Sequence, residues 1–554
     1  MCGILLAVQP LSNVEGSSGT RFETLWEGLK VVNAARGPDA QGEQIFNATN
    51  GDGLELQIRF FASELRLRGD QPIEQPHIRD GDVFCWNGEV FEGLDVGDTE
   101  NDGVKLFELI RNIDNAVKLR EILGSIEGPY AFTYFHKKTS RLFYGRDPLG
   151  RRSLLIHTPT QENPYFILTS TSVGAHPHSS FEELSTDHIY SLDLEKWPNR
   201  RPLAAPPAIN RELPPHIPVI NSAEGIPDHF LPPVEGLLSQ LSHSVLFRVR
   251  DIPCHSEKGD ARVAVLFSGG IDSTIIAYLA DRHLPLDEPI DLLNVAFENP
   301  RKMRASPASR RSREAGRERG DVDAYDFLVP DRVTGLEELE ELQRLCPRRR
   351  WNFVRVWMQM QESLKAKGVV EALMFPARTV MDMSLAIALY FASKGKGKMR
   401  QNRTDPAEPY CSTARVLLNG LGSDELLGGY SRHRTTFQSG SWTAVVEELQ
   451  MEIDRIPTRN LGRDDRIIST HGKEARYPFL SLTVVSYLAG LPVYLKVDPR
   501  LDAGIGDKIL LRLAAKKVGL MEASERKKRA MQFGTHSARM EAGPSERRGN
   551  NNLG

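Results

Sequence analysis

The sequence predicts a two-part protein, an α+β N-terminal half followed by an α/β C-terminal half built on a parallel sheet. Three observations carry that prediction. The chain has 554 residues, more than one hydrophobic core comfortably serves. Residues 2 to about 194 show short apolar runs (Leu5–Val8, Leu54–Phe60, Val83–Trp86, Tyr130–Phe135, Phe166–Thr169) separated by Gly, Pro, Asn and Asp, which is how short strands and turns read. Beyond residue 234 the pattern changes: apolar strands at Val263–Phe267, Leu292–Phe297, Asn352–Trp357 and Val416–Asn419 alternate with helices at Ile271–His283 and Thr379–Ser393. Apolar strands alternating with helices predict a parallel sheet covered on both faces.

The punctuation between these halves sets the expected domains. Residues 197–233 carry Pro206-Pro207, Pro214-Pro215 and Pro232-Pro233, and proline continues neither a helix nor a central strand, so this stretch reads as an extended linker. The domains are therefore expected at 2–196 and 234–535. Residues 300–320, rich in Arg, Ser, Ala and Glu, read as a disordered insertion, and 536–554 as a disordered tail. The bulk numbers exclude some classes. With 70 basic and 73 acidic side chains and a net charge of −3, general nucleic-acid binding is not expected. No run is long enough to span a bilayer, the N-terminus does not read as a signal peptide, and the five cysteines form no CxxC pair. A reducing, cytoplasmic setting fits them.

Cys2 is the first chemical signal. If Met1 is removed, one residue carries both a thiol and a free α-amine, which titrate near ~8.5 and ~8, a nucleophile beside a weak base. Four segments accompany it. Arg36-Gly37-Pro38-Asp39 is a turn former. Glu64-Leu65-Arg66-Leu67-Arg68-Gly69 alternates like a strand, which would put Arg66 and Arg68 on one face. Trp86-Asn87-Gly88-Glu89 offers a side-chain amide and a backbone N–H, the parts of an oxyanion hole. Glu100-Asn101-Asp102 can set a carboxylate against an ammonium.

A second centre follows the strand at Val263. Ser268-Gly269-Gly270-Ile271-Asp272-Ser273 brings backbone N–H groups to the start of a helix, where anions bind; it lacks the Gly-Lys-Ser/Thr of a Walker A loop. Farther on, Leu417-Leu418-Asn419-Gly420-Leu421-Gly422-Ser423-Asp424-Glu425 ends a strand in glycines and acids, and Mg²⁺ needs only one or two carboxylates beside phosphate and water.

In order and spacing, the segments around Cys2 resemble the class II glutamine amidotransferase domain, and Ser268–Ser273 resembles the PP-loop of ATP pyrophosphatases. Together with Gly145–Leu154, Gly428-Gly429-Tyr430, Gly472–Leu480 and Gly506-Asp507-Lys508 with Leu511-Arg512, they make the chain similar to the asparagine synthetase family. The resemblance implies an αββα Ntn-hydrolase sandwich followed by an adenine nucleotide alpha hydrolase-like domain. It implies that Cys2 attacks glutamine, that Asn87 and Gly88 stabilise the oxyanion, and that Arg68, with Arg66 as the alternative, clamps the α-carboxylate. Asp102 would hold the α-amine, with Glu89 in the same glutamine-binding set. Leu266 and Val295 would line adenine, Ser268, Gly269, Gly270 and Ser273 would grip phosphates, Asn419 and Gly420 would edge the nucleotide, and Asp272 and Asp424 would hold Mg²⁺. The implied substrates are glutamine, aspartate and ATP, with asparagine, glutamate, AMP and pyrophosphate as products. No nucleic-acid or membrane partner is implied, and a homodimer is allowed.

Two departures open an alternative. Leu421 stands where the family carries an acid, and Ala530-Met531 where it carries a Lys-Glu pair before Gln532-Phe533. Losing a charged transition-state contact costs on the order of 3 kcal/mol. A synthetase-derived ATP-binding or regulatory protein with weak or no asparagine synthesis is therefore the second reading.

Overall fold

A computed structural model gives the structure and describes residues 2–13, 17–111, 113, 116–196, 200–201, 225–253, 259–297, 329–358, 360–403 and 405–537. Most of the predicted linker, the 300–320 insertion, Cys254 and residues 538–554 of the tail lie outside the described residues.

The N-terminal half contains β1 (Gly3–Pro10), β2 (Ala40–Thr49), β3 (Glu55–Glu64), β4 (His77–Arg79), β5 (Asp82–Gly88), β6 (Tyr130–His136), β7 (Arg141–Arg146), β8 (Leu155–His157), β9 (Phe166–Thr169), β10 (Glu182–Glu183), β11 (Tyr190–Asp193) and β12 (Arg200–Arg201). They form two antiparallel sheets, ordered β10-β8-β9-β1-β3-β2 and β12-β11-β7-β6-β5-β4. The period-two alternation of strands decides the layers. Ile4, Leu6 and Val8 of β1 meet Val83, Cys85 and Ala131 between the sheets. Leu5 and Ala7 turn the other way, onto Phe22, Leu25 and Trp26 of the helix Ser17–Ala34. Phe84 and Trp86 of β5 pack on Leu106, Phe107 and Leu119 of the helices Asp102–Ile110 and Ala116–Ser125. The order of layers is helix, sheet, sheet, helix.

The C-terminal sheet contains β13 (Val263–Leu266), β14 (Ile290–Phe297), β15 (Trp351–Met358), β16 (Lys396–Arg400), β17 (Glu408–Cys411), β18 (Val416–Leu418) and β19 (Glu474–Arg476), ordered β17-β16-β15-β14-β13-β18-β19. Five strands are parallel, but β16 and β17 run antiparallel at one edge. The expectation of a parallel sheet therefore needs correcting to a mixed one. The helices Met360–Met374 and Val380–Lys394 return the chain so that β16 enters from the opposite end; its charged sequence, Lys-Gly-Lys-Met-Arg, is half-exposed one strand in from the edge strand β17.

Two further boundaries move. The helix Leu231–Val249 takes in Pro232 and Pro233 in its first turn, where a proline's missing N–H would have no helical partner anyway. At the other end, Thr535, His536 and Ser537 are buried, and the Thr535 carbonyl accepts the Phe297 N–H at 3.0 Å. His536 and Ser537, within the stretch expected as tail, are therefore packed against the fold.

The two halves meet through buried ion pairs. Arg36 reaches Asp465 at 2.8 Å, Arg152 reaches Glu474 at 2.7 Å, Arg466 reaches Glu183 at 2.5 Å and Arg248 reaches Glu127 at 3.0 Å. Removing one partner of such a pair leaves an uncompensated buried charge, so these contacts fix the register between the halves.

Another buried charge lies within the C-terminal core. Lys496 ends the helix Val493–Lys496, donates to the Leu488 carbonyl at 2.8 Å, and is driven by burial to a pKa of about 7. Between that value and the ordinary ~10.4 of lysine, the unfolded chain binds a proton that the folded chain does not. Stability therefore rises with pH across this window. Lys496→Met is expected to raise the melting temperature at pH 7 and to flatten its rise toward pH 10. Thermal melts of both proteins at pH 7, 8.5 and 10 check this, and a lower melting temperature at pH 7 would contradict it.

Candidate functional site

β1 begins immediately after Cys2, and its pairing with β3 and β9 fixes the thiol inside the fold. Cys2 is 7% exposed. Its backbone N–H donates to Asn87 Oδ1 at 3.0 Å. Asn87 lies near the end of β5 and is fully buried, and its Nδ2 has no hydrogen-bond partner. A buried donor left unpaired costs about 1–3 kcal/mol, so this amide nitrogen has an unmet demand for an acceptor. Gly88 follows, and a Cβ there would come within 2.8 Å of the Pro129 carbonyl.

Gln75, which local sequence patterns did not single out, and Arg36, which they placed only in a turn, complete the thiol's surroundings. Gln75 Nε2 donates to Cys2 Sγ at 3.6 Å while its Oε1 accepts from the Trp86 N–H at 2.8 Å. Arg36 Nε donates to the Cys2 carbonyl at 3.2 Å, and its Nη1 and Nη2 reach Ser469 Oγ at 2.6 Å and Asp465 Oδ2 at 2.8 Å in the other half. Burial pushes the Cys2 thiol up to about 11 and Glu64, the last residue of β3, up to about 7.

The arginine strand expected from Glu64–Gly69 does not form. β3 ends at Glu64, and the Arg66 N–H turns to Asp39 Oδ2 at 2.7 Å instead of continuing the ladder. Arg66 and Arg68 therefore part company. Arg66 is half-buried and donates to the Asp70 carbonyl. Arg68 is buried, with Nε on Glu89 Oε1 at 2.5 Å. Asp102 is buried at the start of its helix and accepts from the Val90 N–H at 2.8 Å, the Gly103 N–H at 2.9 Å and the Trp86 indole at 3.4 Å. Burial raises its pKa, against the nearby Arg68.

In the C-terminal half, Ser268–Ser273 leaves β13 and opens the helix Ile271–His283. Gly269 has φ +76°, and a Cβ there would come within 2.4 Å of the Gly335 backbone nitrogen. Ser268 Oγ accepts the Gly270 N–H at 3.2 Å, and Thr334 Oγ1 donates to the Ser268 carbonyl at 3.0 Å. Ser273 Oγ donates to the Gly270 carbonyl at 3.0 Å. Leu266 and Val295 are buried at the ends of adjacent strands. The β18 loop closes in from the other side: the Asn419 N–H donates to the Arg476 carbonyl at 2.9 Å, and a Cβ on Gly420 would lie 2.8 Å from Asp272 Cβ.

Asp272 and Asp424 converge, as a shared cation would require, and Lys508 is the cation found between them. Its ammonium donates to Asp272 Oδ1 and Oδ2 at 2.7 and 2.6 Å and to Ser423 Oγ at 2.7 Å, and it lies 2.7 Å from Asp424 Oδ1. Lys528 contacts the other oxygen of Asp424 and lies 4.1 Å over the Tyr430 ring. Two lysines hold Asp424 well below the usual carboxylate range. Two convergent carboxylates fit Mg²⁺ chemistry in the presence of phosphates. Among the described residues no group of three or more His, Cys, Asp or Glu side chains gathers as a metal site. Leu421 packs against the apolar core, beside a cleft lined by Glu425, Glu452, Ile456 and Arg459. Lys508 lies in one of the segments that carry the family resemblance, yet nothing local in the sequence shows that it spans both acids.

Both centres thus lie in one chain, a thiol with an unpaired amide in the first half and a glycine loop facing two acids in the second. The family model described as asparagine synthase matches residues 255–323 and 435–551, and the chain belongs to the asparagine synthase family. It is 34% identical to asparagine synthetase domain-containing protein 1 of Gallus gallus, with 98% of each chain covered. It is 33% identical to an asparagine synthetase domain-containing protein of Saccharomyces cerevisiae, over 98% of this chain and 96% of that one. Against the glutamine-hydrolysing asparagine synthetase of Homo sapiens it is 24% identical, over 84% of this chain and 74% of that one. Among the described residues no helix is long and apolar enough to cross a membrane.

Proposed function

We propose that this protein is a glutamine-hydrolysing, ATP-dependent amidotransferase of the asparagine synthase type. Cys2 attacks the side-chain amide of glutamine, Asn87 Nδ2 and the Gly88 N–H receive the oxyanion, and ammonia is released inside the protein. Arg68 takes the α-carboxylate of glutamine, and Glu89 and Asp102 take its ammonium. The C-terminal half binds ATP on Ser268–Ser273, with Leu266 and Val295 along the adenine and Asn419 and Gly420 at its edge. Asp272 and Asp424 would hold Mg²⁺, which would neutralise phosphate charge when bound. Aspartate is the acceptor in this reading, with asparagine, glutamate, AMP and pyrophosphate as products. The cytoplasm, where these substrates are abundant and thiols stay reduced, is the proposed location.

The observation that carries the reading is the Asn87 amide. Its oxygen accepts the Cys2 backbone N–H while its nitrogen is buried and unpartnered, which leaves it free to act as an oxyanion donor. Purified protein lacking Met1 should release glutamate from glutamine, and with ATP, Mg²⁺ and aspartate it should also release pyrophosphate. Failure to release glutamate would reject the reading.

One observation favours the second reading, a nucleotide-binding regulatory protein. Lys508 and Lys528 together already balance the charge of the two acids, and Leu421 offers no charge to an incoming amine. ATP binding without pyrophosphate release for any amino acid would decide for it.

A further inference from the structure

Arg476 occupies two places at once. It is the last residue of β19, and its backbone carbonyl accepts the Asn419 N–H at 2.9 Å, at the edge of the nucleotide loop. Its side chain runs the other way, buried, across the boundary between the halves. There Nη2 lies 3.4 Å from Glu89 Oε2, Nε donates to Glu474 Oε1 at 2.6 Å and Nη1 donates to the Arg248 carbonyl at 2.9 Å. The other oxygen of Glu89 takes Arg68 Nε at 2.5 Å. One residue therefore has its backbone against the nucleotide site and its guanidinium in the glutamine site.

We propose that Arg476 is a positioning residue that ties occupancy of the nucleotide loop to glutamine binding, acting through Glu89. The proposal rests on the function read above.

The exchange of partners supplies the mechanism. Glu89 has two oxygens and two arginines. An incoming glutamine brings a carboxylate for Arg68 and an ammonium for the Glu89 oxygen that Arg68 gives up. Throughout, Glu89 must stay in place and ionised, because a neutral acid cannot pair with an ammonium. Burial is the largest influence on it and leaves its pKa raised to about 7 even against Arg476, the largest opposing one, so losing the guanidinium would push it higher still. A nucleotide seated on Asn419 and Gly420 fixes the end of β19 and so holds the Arg476 guanidinium on Glu89. The coupling is reciprocal by linkage: whatever factor ATP applies to glutamine affinity, glutamine applies to ATP affinity.

The test uses full-length protein carrying Cys2→Ala, which cannot turn glutamine over, and calorimetric titration. ATP–Mg²⁺ should lower the Kd for glutamine by about fivefold or more, the usual lower range of such coupling, and glutamine should lower the Kd for ATP by the same factor. Adding Arg476→Met should bring both factors to about one. A merely structural role would weaken each affinity and leave the factor untouched. Arg476→Lys keeps the charge but cannot fork across Glu474 and Glu89, and it should show a smaller factor than the arginine. If Arg476→Met does not fold, an undiminished factor in Arg476→Lys overturns the proposal. An undiminished factor in a folded Arg476→Met, or glutamine binding indifferent to ATP in the parent, overturns it as well. If the parent binds no glutamine at all, the function reading fails and this inference with it.

Discussion

Cys2→Ala is expected to abolish glutamate release, with a fall of about 10⁴-fold or more, the usual scale for removing a nucleophile. The size follows from the site's chemistry. Burial holds the Cys2 thiol near 11, so thiolate is scarce at pH 7 and the thiol must lose its proton as it attacks. The α-amine exposed by removal of Met1, titrating near ~8, is the base in place. Glutaminase activity should therefore rise with pH through about 8, and protein that retains Met1 should lack it. Intact-mass analysis with glutamate assays from pH 6 to 9 checks all three statements. Glutamate release surviving Cys2→Ala would show that the nucleophile lies elsewhere, while the unpaired Asn87 amide would then need another occupant.

What could be read from the sequence follows from how locally each feature is encoded. The helix Ile271–His283 and β9 stand at the predicted residues because their apolar pattern and flanking glycines or turns are local. The same holds for the Ser268–Ser273 turn and the Asn87-Gly88 pair. Features made by long-range contact left no local trace. Gln75 meets Cys2 from 73 residues away and Arg476 meets Glu89 from 387 residues away. The alternation in Glu64–Gly69 misled because it matches a strand, while the competing acceptor on Asp39 that ends β3 is remote in sequence. The departure at Ala530 looked like the loss of a cation from the second site, yet Lys528, two residues earlier, places its ammonium on Asp424. The chain is extended before the short helix Met531–Gly534, so the shift in sequence does not become an equal shift in space.

Lys508→Met should have the largest effect in the C-terminal half. Lys508 is 1% exposed, and its ammonium touches Asp272, Asp424 and Ser423. Removing it leaves two convergent carboxylates with Lys528 alone between them and solvent. Stripping one partner from a buried ionic group costs about 3–5 kcal/mol; with Asp272 and Asp424 about a quarter exposed, the lower end is expected. The pH dependence has a definite sign. In the parent, Asp424 has a lowered pKa, so its stabilising contribution is present above its unfolded value near ~3.9 and is lost as pH falls through the folded value. In the variant the repelling carboxylates take up a proton closer to neutrality, so the penalty should be full at pH 7 and shrink toward pH 4. Mg²⁺ can replace the missing charge, and it should raise the melting temperature of the variant more than that of the parent. Melts at pH 4, 5.5 and 7, with and without Mg²⁺, read out each expectation. A variant as stable as the parent at pH 7 would show that the ammonium does not hold these acids together. A destabilised variant indifferent to Mg²⁺ would show that Asp272 and Asp424 form a lysine-locked pair and no cation site, which is the arrangement a regulatory, non-synthesising member of the family would have.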